Sequence, residues 1–280
     1  MGRSRVRRRI LIATFVVGAL AGTAVVVRQL WLNDSARVVG SDEAVERFRS
    51  QTTATPIGST TSVASSSDSA TPGLPTVAVP EPGVYRYATD GSEQIDVLGG
   101  ATHPYPAETT ITVSTDGCGV LLRWDLLVER REEWRLCAAS DGVVLQTTGA
   151  FYHEFFAHGS LEEMVCNQSV LLVPLDGTPR APVTQHCTLD DREWLPVWEV
   201  IGPDTRTVDG EEFPVTHVRM TVQDDDEYWE HVVADYWLDQ RGLPVSMTAV
   251  KESKSSSGLV GDVVYQEHYV VDLAALTPLR

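Results

Sequence analysis

Val263-Val264-Tyr265-Gln266-Glu267-His268-Tyr269-Val270-Val271-Asp272-Leu273 is the stretch of this 280-residue chain whose reading decides the fold. Val263, Tyr265, Tyr269, Val271 and Leu273 share one face at period two, and Gln266, His268 and Asp272 take the other. That is the pattern of a half-buried antiparallel strand; a strand of a parallel sheet, covered on both faces, reads as a continuous apolar run. The same alternation recurs upstream. Val218, Met220 and Val222 oppose His217, Arg219 and Thr221, while Ile111 and Val113 alternate with Thr110, Thr112 and Ser114. Five Asp-Gly pairs begin at Asp90, Asp116, Asp141, Asp176 and Asp209, and Asp-Gly between apolar runs signals a hairpin because such turns need positive φ. Strands of eight to twelve residues suit a large curved sheet or half-barrel better than a compact sandwich. The expected fold is therefore mainly β, a large curved antiparallel sheet with one or two short helices. One of these is a juxtamembrane helix and the other falls within residues 153–168, where Glu154, Phe155, Phe156, Leu161, Glu162, Glu163 and Met164 read as helical.

Outward from this domain the texture changes. Residues 1–9 hold five arginines and no acid, and Ile10 to Val27 is an uncharged run. Eighteen helical residues rise about 27 Å, close to the ~30 Å hydrocarbon core of a bilayer. Arginine is costly in lipid, so residues 1–9 are expected as a cytoplasmic tail, residues 10–27 as a single transmembrane helix, and everything after them outside the cytoplasm. Ala19-Leu20-Ala21 also fits the small-x-small rule for signal-peptidase cleavage, which would release the chain; both readings export the remainder. Residues 28–49 are expected to form a juxtamembrane helix, with Ser41 as cap, Asp42 and Glu43 in the first turn, and Ala44, Val45 and Phe48 on one face. In residues 50–80, 24 of 31 are Ser, Thr, Ala, Gly or Pro, too few apolar groups to bury a core. A disordered tether is expected there, spanning about 30 Å as a coil and holding the domain of residues 81–280 away from the bilayer.

Beyond residue 33 the chain carries 16 basic and 39 acidic residues, a net of −23. Such a surface excludes nucleic acid as a partner, because binding there needs basic patches, and it disfavours anionic lipid headgroups. Cys118, Cys137, Cys166 and Cys187 all lie on the exported side and are expected as two disulfides, Cys118–Cys137 and Cys166–Cys187, each closing a short loop. They lack Cys-x-x-Cys spacing, so no zinc site and no cofactor is expected.

Gly83-Val84-Tyr85-Arg86-Tyr87, the run Gly99-Gly100-Ala101-Thr102-His103-Pro104-Tyr105-Pro106, and Tyr236-Trp237-Leu238-Asp239-Gln240-Arg241-Gly242-Leu243-Pro244-Val245 together carry a resemblance. The region from about 81 to 275 resembles membrane-anchored exported actinobacterial proteins of unknown function, and its sheet pattern is similar to the LolA/LppX-type half-barrels of envelope lipoproteins. That resemblance implies a concave apolar face sheltering an acyl chain or other hydrophobic ligand. The chain departs from those lipoproteins in having no lipidated cysteine and a permanent anchor, which does not suit long-distance carriage.

Catalytic patterns are missing: the sequence has no Gly-x-Ser-x-Gly elbow, His-Glu-x-x-His or P-loop. His153 and His158 read as the edge of an aromatic core, Asp224-Asp225-Asp226-Glu227 as a solvated hairpin tip, and His103-Pro104-Tyr105-Pro106 as a rigid corner loop. The candidate ligand-binding residues are Trp194, Trp198, Tyr265 and Tyr269, placed to line the concavity of a curved sheet. The leading expectation is an anchored envelope module that binds a lipid-like ligand; the alternative is a protein-interaction ectodomain of an envelope-assembly complex. What separates them is whether Trp194, Trp198, Val263, Tyr265 and Tyr269 close the core or leave a cavity of several hundred Å3.

Overall fold

The computed structural model describes residues 36–54, 77–97, 100–190, 192–257 and 261–280. Among them are one helix, α1 (Ser41–Ala54), and sixteen strands in chain order: β1 (Gly83–Ile95), β2 (Ala101–Pro104), β3 (Glu108–Asp116), β4 (Gly119–Asp125), β5 (Arg130–Ala139), β6 (Gly142–Phe155), β7 (His158–Cys166), β8 (Val170–Pro174), β9 (Arg180–Thr184), β10 (Cys187–Leu189), β11 (Arg192–Trp194), β12 (Val197–Val208), β13 (Glu211–Asp224), β14 (Glu230–Leu238), β15 (Pro244–Ser257) and β16 (Gly261–Leu273). They form one curled antiparallel half-barrel in the order β11-β10-β7-β6-β5-β4-β3-β1-β16-β15-β14-β13-β12-β9, with β2 on β1 and β8 on β6. The two edges are drawn together at Gln185 and His186, the residues that join β9 to β10. Gln185 is fully buried there. Its N–H donates to Pro196 O (2.9 Å), its Nε2 to Gln168 O (2.6 Å), and its Oε1 accepts from Trp198 Nε1 (3.2 Å).

Four of the five Asp-Gly pairs sit in the turns between strands, as their chemistry requires. Asp90-Gly91 does not. It lies inside β1, where the neighbour changes from β3 to β2. A Cβ on Gly91 would stand 2.3 Å from His268 O, so glycine is needed for the close approach of β16.

Residues 153–168, expected as a helix, form the end of β6 and β7, paired from Thr148↔Val165 to Phe155↔His158. β6 is already held by β5 through Arg130↔His153 and Glu132↔Phe151, and continuing that ladder satisfies more backbone groups than one short helix would. Of the two helices allowed for, the described residues contain α1 alone.

α1 begins at Ser41, so residues 36–40 of the expected 28–49 helix are not helical; it runs to Ala54, past the expected boundary at 49, and it is docked on the domain. Ala44, Val45 and Phe48 bury against Val84 on the convex face of β1. Arg47 Nη1 meets Asp125 Oδ2 at 2.7 Å. This cover explains why Thr109 to Val113 are all buried although their sequence alternates: β3 has the core on one face and α1 on the other. Val77 and Val79, where the described chain resumes, also pack on the core. Residues 55–76, most of the expected disordered tether, lie outside the described residues and join two segments that are both fixed to the same body. The expected transmembrane run, residues 10–27, lies outside the described residues, among which no helix is long and apolar enough to cross a membrane. The disulfides are Cys118–Cys137 and Cys166–Cys187, as expected; the second joins directly opposed residues of β7 and β10.

Candidate functional site

The inward-facing residues divide the half-barrel into three layers along its axis. The innermost is apolar and nearly filled. Trp194, Trp198 and Tyr269, three of the four aromatic residues expected to line a concavity, wall it together with Met220 and Tyr236. Tyr236 tilts against Trp198 (5.9 Å between centroids), and Phe151 meets Trp194 edge-on (6.1 Å). They leave a cavity of about 90 Å3. That is below the roughly 300 Å3 at which small-molecule pockets begin, so these rings mostly close a core.

The second layer is charged, and alternation placed it there. Tyr265, Glu267 and Tyr269 point the same way from β16, so a glutamate stands between two core tyrosines. Glu93 is its direct partner on β1, and Lys251 its direct partner on β15. Two carboxylates opposed across a ladder repel. Arg130, 1 % exposed, resolves this. Its Nε and Nη2 donate to the two oxygens of Glu267 (3.1 Å each), its Nη2 also reaches Glu132, and Nε lies 3.8 Å from Glu93. Tyr105 Oη donates to Glu267, and Tyr265 Oη to Glu93 Oε2 (3.0 Å). His103, fully buried, bonds Glu93 Oε1 through Nδ1 (3.0 Å) and stacks on Phe155 at 4.5 Å. His153 Nδ1 lies 3.4 Å from the other Glu93 oxygen. Toward the opposite wall, Lys251 and Arg192 both grip Glu230, at 3.1 and 2.8 Å.

This network determines the charge states. Burial pushes the Glu93 carboxyl up, but hydrogen bonds from His103 and His153 and the charge of Arg130 outweigh it and hold the group down at about 2. Glu267 is likewise lowered: burial opposes ionisation, and Arg130 overcomes it by charge and hydrogen bond. Lys251 is raised, because Glu230 and Glu267 outweigh its burial. His153 is lowered by burial and by the charge of Arg130, against the pull of Glu93. In this layer Glu93, Glu132, Glu230 and Glu267 interleave with Arg130, Arg192 and Lys251.

The third layer is an open cleft of about 790 Å3 at the mouth, within the size of a small-molecule site. Tyr265, the fourth expected aromatic, lines it and not the inner cavity. Glu230 and Lys251 line both spaces, so the charged layer is the cleft's floor. Its walls are Ile95, Phe155, Phe156, Tyr228 and Val263, interrupted by His158, Ser160, Ser253 and the charged Glu162 and Lys254. The β6–β7 turn at the rim places Phe156 and Ala157 at φ 54° and 59°. Two consecutive non-glycine residues in the left-handed region cost roughly 1–2 kcal/mol each, and such strain concentrates at functional edges.

No known protein family, curated protein or solved structure matches the chain.

The other candidates settle as follows. His153 and His158 both line the cleft, but they sit on either side of a hairpin and not on one helix. Asp224 to Glu227 join β13 to β14, where Asp225 Oδ1 bonds His231 Nε2 at 2.7 Å. His103 belongs to the short strand β2 beneath Phe155 and is not in a corner loop. Among the described residues no three His, Cys, Asp or Glu side chains are arranged to hold a metal ion. Glu93, Arg130, Glu230, Lys251 and Glu267 went unrecognised as site residues in the sequence. The available signal was phase: Arg130-x-Glu132-x-Trp134-x-Leu136 and Glu230-x-Val232-x-Ala234-x-Tyr236 put charge in step with core residues.

Proposed function

We propose that this chain is an anchored, extracytoplasmic half-barrel that holds an amphiphile bearing a zwitterionic head group in its mouth cleft. The observation that carries this is the cleft's polarity: 790 Å3, aromatic at the rim and charged at the floor. An alkyl chain pressed onto Glu230, Lys251 and Arg192 would strip their water without replacing it, which costs several kcal/mol per charge. A polar head therefore suits the floor and an apolar portion suits the rim. The cleft lining carries both signs of charge, Glu162 and Glu230 against Arg192, Lys251 and Lys254, which suits a zwitterionic head, and the −23 charge of the exported part disfavours a free anion. The two disulfides fit an oxidising compartment. The similarity to LolA/LppX-type half-barrels supports ligand binding within the curve of the sheet, with the difference that the deep part here is filled.

The test is organic extraction of the purified full-length chain and mass spectrometry of the extract, for the wild type and for Ser253→Trp, which fills the cleft from β15. About one amphiphile per wild-type chain, lost in the variant at an unchanged melting temperature, supports the reading. A wild type that carries none rejects it.

A second reading, a protein-interaction ectodomain, draws on the convex face. Val233, Val250 and Val270, on the adjacent strands β14, β15 and β16, are 49, 61 and 48 % exposed, with Val233 directly opposite Val250. Contiguous exposed valines on a sheet suit contact with another protein. A partner captured by the wild type and lost from Val250→Lys would favour it.

A further inference from the structure

The chain joins its domain at the rim of the cleft. Arg37 N and Nε donate to the Glu129 carboxylate at 2.8 and 2.9 Å, and Val128 N donates to Arg37 O at 2.9 Å. Glu129 O in turn accepts from Glu154 N (2.8 Å), one residue before Phe155 and the strained turn at the mouth. Ala36 packs on the core. The first described residues after the apolar run thus stand beside the cleft. From there α1 runs toward the other end of the barrel, where Arg49 donates to Arg280 O.

Between Val27 and Ala36 lie eight residues. Fully extended, they reach at most about 30 Å. The Ser/Thr-rich residues 55–76 cannot add to that distance, because the chain is already fixed to the domain before them. The opposite end of the barrel, with the Asp209-Gly210 turn, is a strand length away. β12 has twelve residues, so that is about 40 Å at ~3.3 Å per residue before tilt is allowed for.

We infer that the mouth of the half-barrel faces the outer leaflet of the membrane in which residues 10–27 are anchored, so that the cleft takes its amphiphile from that leaflet head group first. This rests on the ligand reading above and on residues 10–27 staying uncleaved. The polarity of the two surfaces agrees. A leaflet presents head groups outward with tails behind them, and the cleft presents a charged floor behind an aromatic rim. A lipid therefore enters without turning over. The acidic run Asp224 to Glu227 at the rim repels an anionic surface, so a zwitterionic leaflet suits the approach.

The experiment uses the full-length chain in phosphatidylcholine vesicles that contain a sparse head-group-labelled acceptor lipid. A donor fluorophore is placed at Tyr228 on the mouth or at Glu211 at the far end. Stronger energy transfer from position 228 than from 211 is expected. Twenty Gly/Ser residues inserted after Asn33 should abolish the difference, and the same insertion after Thr60 should leave it intact. Equal transfer from both positions, stronger transfer from 211, loss of the difference on insertion after Thr60, or a mature chain beginning at Gly22 overturns the inference. The orientation is read without any bound ligand. Ser253→Trp should keep the transfer pattern while losing extractable amphiphile, so failure of the ligand reading and failure of the orientation give different results.

Discussion

Glu93 and Glu267 stand directly opposite one another inside the barrel, and Arg130 is the cation that makes this tolerable. Removing one partner of a buried ionic network leaves the other charges uncompensated, at a cost of about 3–5 kcal/mol. Arg130→Met is expected to lose that much in urea denaturation, and the double variant Arg130→Met, Glu267→Leu to recover a large part of it. The same cluster predicts acid sensitivity. His153 is held below its ordinary 6.5 by burial and by Arg130, so the unfolded chain binds the proton first. Stability present above pH 6.5 is lost as the pH falls below it. Glu93 adds a second step: it sits at about 2 against an ordinary 4.5, so its contribution is complete above 4.5 and disappears toward 2. Melting temperatures measured from pH 8 to pH 3 should fall in both windows, and His153→Gln should remove the upper fall and keep the lower one.

At the scale of elements, the hairpin of β6 and β7 shows local preference overridden. Its residues read as helical, yet cross-strand pairing with β5 carries β6 through to Phe155 and forces Phe156 and Ala157 into the left-handed region. Glycine adopts that region without a Cβ penalty. Ala157→Gly is expected to raise stability by about 1 kcal/mol in equilibrium unfolding; an unchanged or lower stability would mean that the turn is not strained. α1 is the opposite case. Its acidic first turn and apolar positions were legible, but the cap is Gly40, whose carbonyl accepts from Ala44 N, and not Ser41, and the surface it covers was not legible. Nothing in residues 41–54 names Val84 or Asp125 as partners.

For the whole molecule, a helix docked on the sheet and a sheet whose edges meet at Gln185 make the N-terminal residues part of the fold. Deleting residues 36–54 would bare Val84 and strip Asp125 and Glu129 of Arg47 and Arg37. It is expected to lower the melting temperature by several degrees, as a loss of a few kcal/mol does in a domain of this size. Deleting residues 57–74 removes none of these contacts, and a shorter connection alters closure entropy by tenths of a kcal/mol to about 1, so the melting temperature should stay nearly unchanged. Differential scanning calorimetry of the two deletions compares these directly.

The sequence by itself determined most of the elements, the β6–β7 hairpin excepted. Period-two alternation makes antiparallel strands because successive side chains leave a strand on opposite sides, Asp-Gly makes turns because positive φ is cheap there, and four cysteines with short spacings make two local disulfides. It also placed Trp194, Trp198, Tyr265 and Tyr269 on the inner face. Only the tertiary structure decided what that face encloses. Whether two rings close a core or leave room depends on the curvature and register of strands more than a hundred residues apart, as with Glu93 and Glu267. The charged floor, the rim that the chain joins and the helix on the outer face are all products of such long-range pairing, which no local pattern encodes.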